Sequence, residues 1–332
     1  MPPTEPSAGQ VPRDHGAASA YRHPVLLPPR LRPGDTIGIV LPAGPVRDPG
    51  RAEGGLRILR QMGYHVRLAR IGPAGDYLAA PDRERIRSLH ALWADEEVRG
   101  LMAMRGGYGC LRIADRLDLE FCRRHPRWLI GFSDLTVLHA SLNRGAGLVT
   151  MHGPMVTTLG RTEKKDLQRL FALLAGEPAG PDSTGMEVLR PGIGRGRLTG
   201  GNLSCLVSML GTPWEICWQD TIVLLEDTGE PMYRLDRMLT QLAAAGRLER
   251  PAGLLLGGFD HPSGDTLETI RLQEQVWKRV LELTPKADFP VWGNVPAGHG
   301  QRNAALPLGM EAEMNSLTGS LTLYPESCLR NR

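Results

Sequence analysis

A hydroxyl, a carboxylate and an imidazole stand in that order along this 332-residue chain, each at the end of an apolar run or in a tight turn. Ser133 closes the run Trp-Leu-Ile-Gly-Phe-Ser (128–133), Glu226 follows Thr-Ile-Val-Leu-Leu (221–225), and His299 lies between glycines in Ala-Gly-His-Gly (297–300). A serine attacks carbonyls at neutral pH only when an imidazole takes its proton and an acid steadies that imidazole, and serine, then acid, then histidine is one chain order in which this occurs. Each residue also has a plainer reading. Ser133 or Asp134 would serve as a helix cap, and the segment has Leu135 where the G-x-S-x-G elbow has its second glycine. Asp227 and Glu230 compete with Glu226 as the acid, each otherwise a loop ion pair or a helix-start charge. His299 would otherwise be an exposed loop histidine.

Two further segments belong to the same chemistry. Arg105-Gly106-Gly107-Tyr108-Gly109 is a glycine-rich turn after an apolar strand, and its exposed N–H groups suit a phosphate or an acyl-transfer oxyanion. It matches neither the dinucleotide fingerprint nor a P-loop, and a close-packed turn is its structural alternative. His152, in Thr-Met-His-Gly-Pro (150–154), is expected to line the site or hold a turn.

The elements that must position these groups follow from periodicity. Residues 36–41 form a continuous apolar run ended by Pro-Ala-Gly-Pro, as in a strand buried on both faces. Leu56, Leu59 and Met62 recur at helical spacing before Gly63, residues 64–69 read as a strand, and Asp82 is expected to cap a helix carrying Ile86, Leu89 and Trp93. Strands over 100–104 and 128–130 continue the rhythm, with an amphipathic helix through Leu135, Val137, Leu138 and Leu142. Strand, helix, strand in repetition predicts a doubly wound parallel sheet, with Ser133 at the carboxyl edge where such sheets bind ligands. A stretch rich in Gly, Pro, Asp and Ser over 176–196 reads as a linker between domains at 31–175 and 197–328. The second domain reads as mixed β and α: strands near 221–225 and 252–259, helices ending at Gly246 and spanning 266–283, and a hairpin over 310–324.

Composition bounds the function. A net charge of +3 from 39 basic and 36 acidic side chains, with no basic stripe, argues against nucleic acid as partner. No apolar run approaches the roughly 20 residues needed to span a bilayer, so membrane insertion is not expected. The five cysteines, odd in number and without a CxxC pair, argue for reduced thiols rather than a disulfide framework or a zinc site. Residues 1–30 read as a disordered tail, and its first two dozen residues lack the apolar core of a secretory signal. A cytoplasmic protein is the expectation.

Taken together, the blocks Gly-Ile-Val-Leu-Pro-Ala-Gly (38–44), Arg-Gly-Gly-Tyr-Gly (105–109), Ile-Gly-Phe-Ser-Asp-Leu-Thr (130–136), His-Gly-Pro (152–154), Gly-Asn-Leu (201–203), Leu-Glu-Asp (225–227) with Tyr-Arg-Leu-Asp (233–236), and Gly-His (298–299) with Asn303 and Leu-Pro-Leu-Gly (306–309) resemble the LD-carboxypeptidases. These are serine peptidases that include muramoyl-tetrapeptide carboxypeptidases and microcin immunity hydrolases. The resemblance covers roughly residues 30–325. It implies a Rossmann-like N-terminal domain, a swivelling β/β/α C-terminal domain, a site at their junction and a homodimer. It assigns Ser133 as nucleophile, His299 as base and Glu226 as its orienting acid, with Glu226 or Glu230 left open within one acidic block. The N–H of Asp134 and one from Gly106 or Gly107 match the oxyanion hole, where each donor is worth about 3 kcal/mol. Arg105 is the candidate for the substrate's terminal carboxylate. No metal or organic cofactor is implied. The expected substrate is a murein tetrapeptide losing its terminal D-amino acid during cell-wall recycling. The alternative is a peptidyl or aminoacyl nucleotide, for which Trp214 or Trp218 would stack on the base.

Overall fold

In the computed structural model, which describes residues 21, 23–72, 75–177 and 185–330, two large sheets both contribute to one of three apolar clusters. The first sheet runs Leu306–Leu308, Thr150–His152, Trp128–Gly131, Val98–Ala103, Thr36–Val40, His65–Leu68. All neighbours are parallel except Leu306–Leu308, which lies antiparallel against Thr150–His152. Ile37, Ile39, Leu101, Met102, Leu129 and Ile130 are completely buried, as continuous apolar runs must be when helices cover both faces. Leu56 and Leu59 of Pro49–Gln61 pack with Ile37, Ile39 and Ile130, whereas Leu89 and Trp93 of Asp82–Ala94 pack with Val40, Leu101 and Leu129. Alternate residues of each strand thus feed opposite layers, the doubly wound arrangement that the rhythm of the sequence predicts. Counting only the five parallel strands, the order is 2-1-3-4-5, with its switch point between Thr36–Val40 and Val98–Ala103.

The second sheet has seven strands: Ser320–Leu323, Glu311–Asn315, Ile193–Asn202, Thr221–Thr228, Gly253–Asp260, Val291–Gly293, Glu187–Arg190. Its four central strands are parallel and its edges antiparallel. Val223 and Leu225 face helices Met232–Ala244 and Thr266–Leu283, while Ile222 and Leu224 face a layer that includes Leu306 and Leu308 of the first sheet. The two halves are therefore interlocked: the chain crosses back to finish the first sheet after building most of the second.

Several local expectations need correction. Within 176–196, Glu187–Arg190 and Ile193–Asn202 are already strands of the second sheet, because paired backbone there satisfies hydrogen bonds that glycine-rich composition does not forbid. Residues 178–184 of that stretch lie outside the described residues. The tail expected over 1–30 ends earlier than 30: Leu26–Leu27 pairs with Leu329–Arg330, and Val25 and Leu26 are buried. Residues 1–20 lie outside the described residues. Asp82 does not cap its helix; Pro81 holds the cap position, and the Asp82 carboxylate is bound instead by Arg85 and Arg112. The helix after Ser133 is not amphipathic. It is a composite of a 3₁₀ turn Ser133–Leu135, the helix Thr136–Ser141 and a wider π turn Leu142–Ala146, buried on every side in its α segment because it runs between the two halves. There the Asn202 N–H donates to Thr136 Oγ1 at 3.0 Å. Among the described residues no helix is long and apolar enough to cross a membrane.

Candidate active site

Ser133 leaves the buried strand Trp128–Gly131 with φ of +64°, a left-handed conformation that costs a non-glycine residue about 1–2 kcal/mol. Its surroundings hold it there. The buried carboxylate of the next residue, Asp134, accepts the N–H of Cys110 at 2.8 Å, tying the serine turn to the end of the glycine-rich turn. Burial pushes that carboxyl above its ordinary range, against the pull of Cys110 and Arg85. At Gly106 a Cβ would stand 2.9 Å from Ser133 Cβ and 3.0 Å from Oγ, so only glycine lets the two turns meet. The Gly44 N–H donates to Gly106 O at 3.2 Å across the switch-point crevice. Arg85, fully buried, donates to Gly109 O at 3.0 Å and also to Pro42 O, clamping both lips of that crevice. Among the described residues neither Gly106 nor Gly107 donates its N–H to an acceptor in the chain.

The acid and the imidazole come from the second half. Glu226, fully buried near the end of Thr221–Thr228, accepts the Nδ1–H of His299 at 2.8 Å. That bond selects the tautomer with Nε2 free to accept a proton. Gly298, at φ of +130°, makes room: a Cβ there would lie 3.1 Å from Glu226 Oε2. Burial disfavours the charged imidazole, but the charge and hydrogen bond of Glu226, with Asp260 and Asp227 beyond, outweigh it and hold the His299 pKa above its usual 6.5.

The segment carrying His299, residues 294–305, starts from the second sheet at Val291–Gly293 and ends in the first at Leu306–Leu308. Its fastening is long-range. Asp166, buried in helix Lys164–Ala175, accepts Arg302 Nε and the Asn303 N–H, both at 3.0 Å, and Asn303 Oδ1 in turn accepts the Gly298 N–H at 3.4 Å. Arg169, on the same helix, donates to Ala305 O at 2.9 Å.

Ser133 and His299 line one cavity of about 270 Å³, together with Arg105, Gly106, Gly107 and Arg161. No hydrogen bond joins the serine to the imidazole, as is common before substrate aligns them. A larger cavity of about 900 Å³ lies beyond the opposite end of the central strand, around Trp128 and Leu173, and holds none of these groups.

Of the residues singled out from the sequence, Ser133, Asp134, Gly106, Gly107, Arg105, Glu226 and His299 converge here. His152 does not line the cavity: it is fully buried behind Phe132, whose ring meets the His299 ring edge-on at 4.7 Å, and burial lowers the His152 pKa to about 3. It ends a central strand, and its ring turns into the core. Between the rival acids, Glu230 pairs with Arg234 in the loop and helix start, and Asp227 is occupied by Asn202, Ser204 and the Thr228 N–H. Trp214 and Trp218 pack against the core and do not line the cavity. Sequence reasoning missed Arg85, Asp166 and Arg161, which stand in ordinary helix or loop contexts and matter only through partners distant in the chain.

The chain matches the family models described as LD-carboxypeptidase N-terminal domain over residues 37–153 and LD-carboxypeptidase C-terminal domain over 195–314. A putative carboxypeptidase of Synechocystis is 36% identical, over 90% of this chain and 97% of its own length. The chain belongs to the LD-carboxypeptidase family. A murein tetrapeptide carboxypeptidase of Pseudomonas aeruginosa is 32% identical over 78% of this chain and 87% of its own length. Among solved structures, a muramoyltetrapeptide carboxypeptidase from Oxalobacter formigenes matches with a TM-score of 0.73 and 28% identity, covering 87% of this chain and 97% of its own. An MccF-like protein from Bacillus anthracis gives a TM-score of 0.79 at 22% identity over 90% and 98% of the two chains, a likeness of fold. This LD-carboxypeptidase family member is thus a serine-type peptidase of mixed α/β, two-domain architecture.

Proposed function

We propose that this enzyme removes the terminal D-amino acid from murein tetrapeptides through an acyl-enzyme formed on Ser133. The observation that carries the reading is the buried Glu226–His299 pair opening onto the same cavity as a serine held in a left-handed turn. Ser133 Oγ attacks the carbonyl of the L-to-D bond while His299 Nε2 takes its proton. The oxyanion then accepts from the N–H of Asp134 and of Gly106 or Gly107. His299 passes the proton to the departing amine, and water, activated by the same imidazole, releases the shortened peptide and regenerates the serine. Arg105 supplies the cation for the leaving residue's carboxylate.

The names of the murein peptide carboxypeptidases among its relatives support the substrate. Among the described residues the cavity lining includes neither Trp214 nor Trp218, so the stacking expected for a nucleotide substrate lacks support. A homodimer acting in the cytoplasm on peptides recovered from the wall is the family expectation that completes the reading. Incubating the pure protein with a murein tetrapeptide, and separately with an aminoacyl sulfamoyl adenylate, and identifying products by mass tests it. Release of D-alanine and a tripeptide is the expected result; cleavage of the adenylate alone overturns it.

A further inference from the structure

The catalytic cavity holds more positive charge than one terminal carboxylate requires. Four guanidinium groups line it, those of Arg47, Arg51, Arg105 and Arg161. Among the described residues only Arg51 has an acid at salt-bridge distance, Asp48 at 3.1 Å. Arg47 donates to Asp76 O, Arg105 to Pro45 O and Gly106 O, and Arg161 to His299 O at 3.3 Å, all neutral carbonyls that leave the charge uncompensated. The four fall into two pairs by position. Burial disfavours the charge of both Arg105 and Arg161; Arg47 adds to this at Arg105 on the glycine-rich turn, and Arg51 adds to it at Arg161 beside the His299 segment, where Asp260 partly offsets it. Asp48 lines the cavity too, but one carboxylate does not balance four guanidinium groups; like charges gathered in a concave site cost free energy in the empty protein, and a ligand bearing opposite charges in the same places lowers that cost. Guanidinium groups suit carboxylates in particular, which they bind with paired N–H donors.

Resting on the peptidase reading above, we infer that this site selects peptides carrying a second free carboxylate on the acyl side of the scissile bond, bound by Arg161 with Arg51, while Arg105 with Arg47 holds the terminal carboxylate of the leaving residue. Arg161 is then a specificity-determining residue. Two positions in a murein peptide offer such a carboxylate: the side chain of the residue that becomes acylated, when it is a diamino diacid, and the free α-carboxyl of the γ-linked residue before it.

The test compares kcat/KM for four synthetic tetrapeptides in the full-length enzyme: the parent with both carboxylates free, each of the two mono-amides, and a parent with lysine at the acylated position. One of the two amidations is expected to lower kcat/KM by about 10- to 100-fold, the range expected for losing a hydrogen bond to a charged group. If the side-chain carboxylate is the one bound, the lysine peptide falls with its amide. Arg161→Met, an exposed position whose change leaves the core intact, is expected to bring the ratio of kcat/KM for the free acid to that for the amide close to one. Equal kcat/KM for the parent and both amides in the unaltered enzyme overturns the inference and leaves the peptidase reading standing. Discrimination that vanishes in Arg105→Met but survives in Arg161→Met overturns the assignment of the two pairs. Failure to cleave any of the four overturns both the inference and the reading on which it rests.

Discussion

The two turns that carry Ser133 and His299, the proposed reacting groups, are built on opposite plans. The serine turn is fastened close by: a buried strand, a left-handed residue, and a carboxylate one position on that grips the neighbouring glycine-rich turn. The histidine segment is fastened from afar, between two sheets, by Glu226 some seventy positions earlier and by Asp166 and Arg169 more than a hundred and thirty positions earlier. A locally built turn survives most changes elsewhere, whereas a remotely built one fails whenever any distant anchor is lost. The proposed nucleophile is thus preset by the chain around it, and the proposed base is set by the whole fold.

That contrast can be broken at its extremes first. Ser133→Ala is expected to lower kcat by about 10⁶-fold, since removing the nucleophile of such a triad costs nearly as much as removing all three members. Its thermal unfolding midpoint should stay within a few degrees, because the turn is held by Asp134 and Gly106 rather than by the hydroxyl; a large fall in midpoint would refute local fastening. Glu226→Gln should cost about 10⁴-fold in kcat by favouring the wrong imidazole tautomer while keeping shape. Its measurement beside Glu230→Gln, expected to be near neutral, decides which acid serves. Asp166→Ala touches no reacting atom, yet it strips partners from Arg302 and Asn303. It should destabilise the protein by about 1–3 kcal/mol and lower kcat with little change in KM, as read by chemical denaturation and steady-state kinetics. An Asp166→Ala enzyme of full kcat would show that the remote plan is not needed.

The smallest effect concerns pH. The acids near His299 raise its pKa, and the base must be neutral to act, so kcat/KM should rise with pH along a limb displaced upward from an ordinary histidine. Asp260→Asn removes one of those charges, favours the neutral ring, and should move that limb to lower pH. A pH–rate profile unchanged by this variant would separate Asp260 from the site.

The same contrast explains what could be read in the sequence. The doubly wound sheet, the strand ending at Ser133, the helix Thr266–Leu283 and the terminal hairpin Glu311–Asn315 with Ser320–Leu323 all follow from short-range periodicity, and so they were legible. The nearness of Ser133, Glu226 and His299, the residues proposed to react, was legible too, since each sits against a strand end or a glycine turn and resembles a known family's blocks. His152 was misplaced because a strand-end histidine looks alike whether its ring faces the cavity or the core, and only the tertiary position of Phe132 decides. The 176–196 stretch was misread because glycine and proline content lowers strand propensity without preventing a sheet from recruiting the backbone. Asp166, Arg85, Arg47, Arg51 and Arg161 carry no local mark at all, unlike Arg105 on its glycine-rich turn; their roles exist only once remote segments meet.

The return of residues 306–308 to the first sheet has a further consequence. The N-terminal half cannot finish its own sheet: without those three residues, Thr150–His152 becomes a bare edge, a row of unpaired amides and carbonyls open to strands of other molecules. Splitting the gene between its two apparent modules would therefore yield a sticky fragment rather than an autonomous domain. During synthesis, too, the strand must wait uncovered until residues 306–308 have been made.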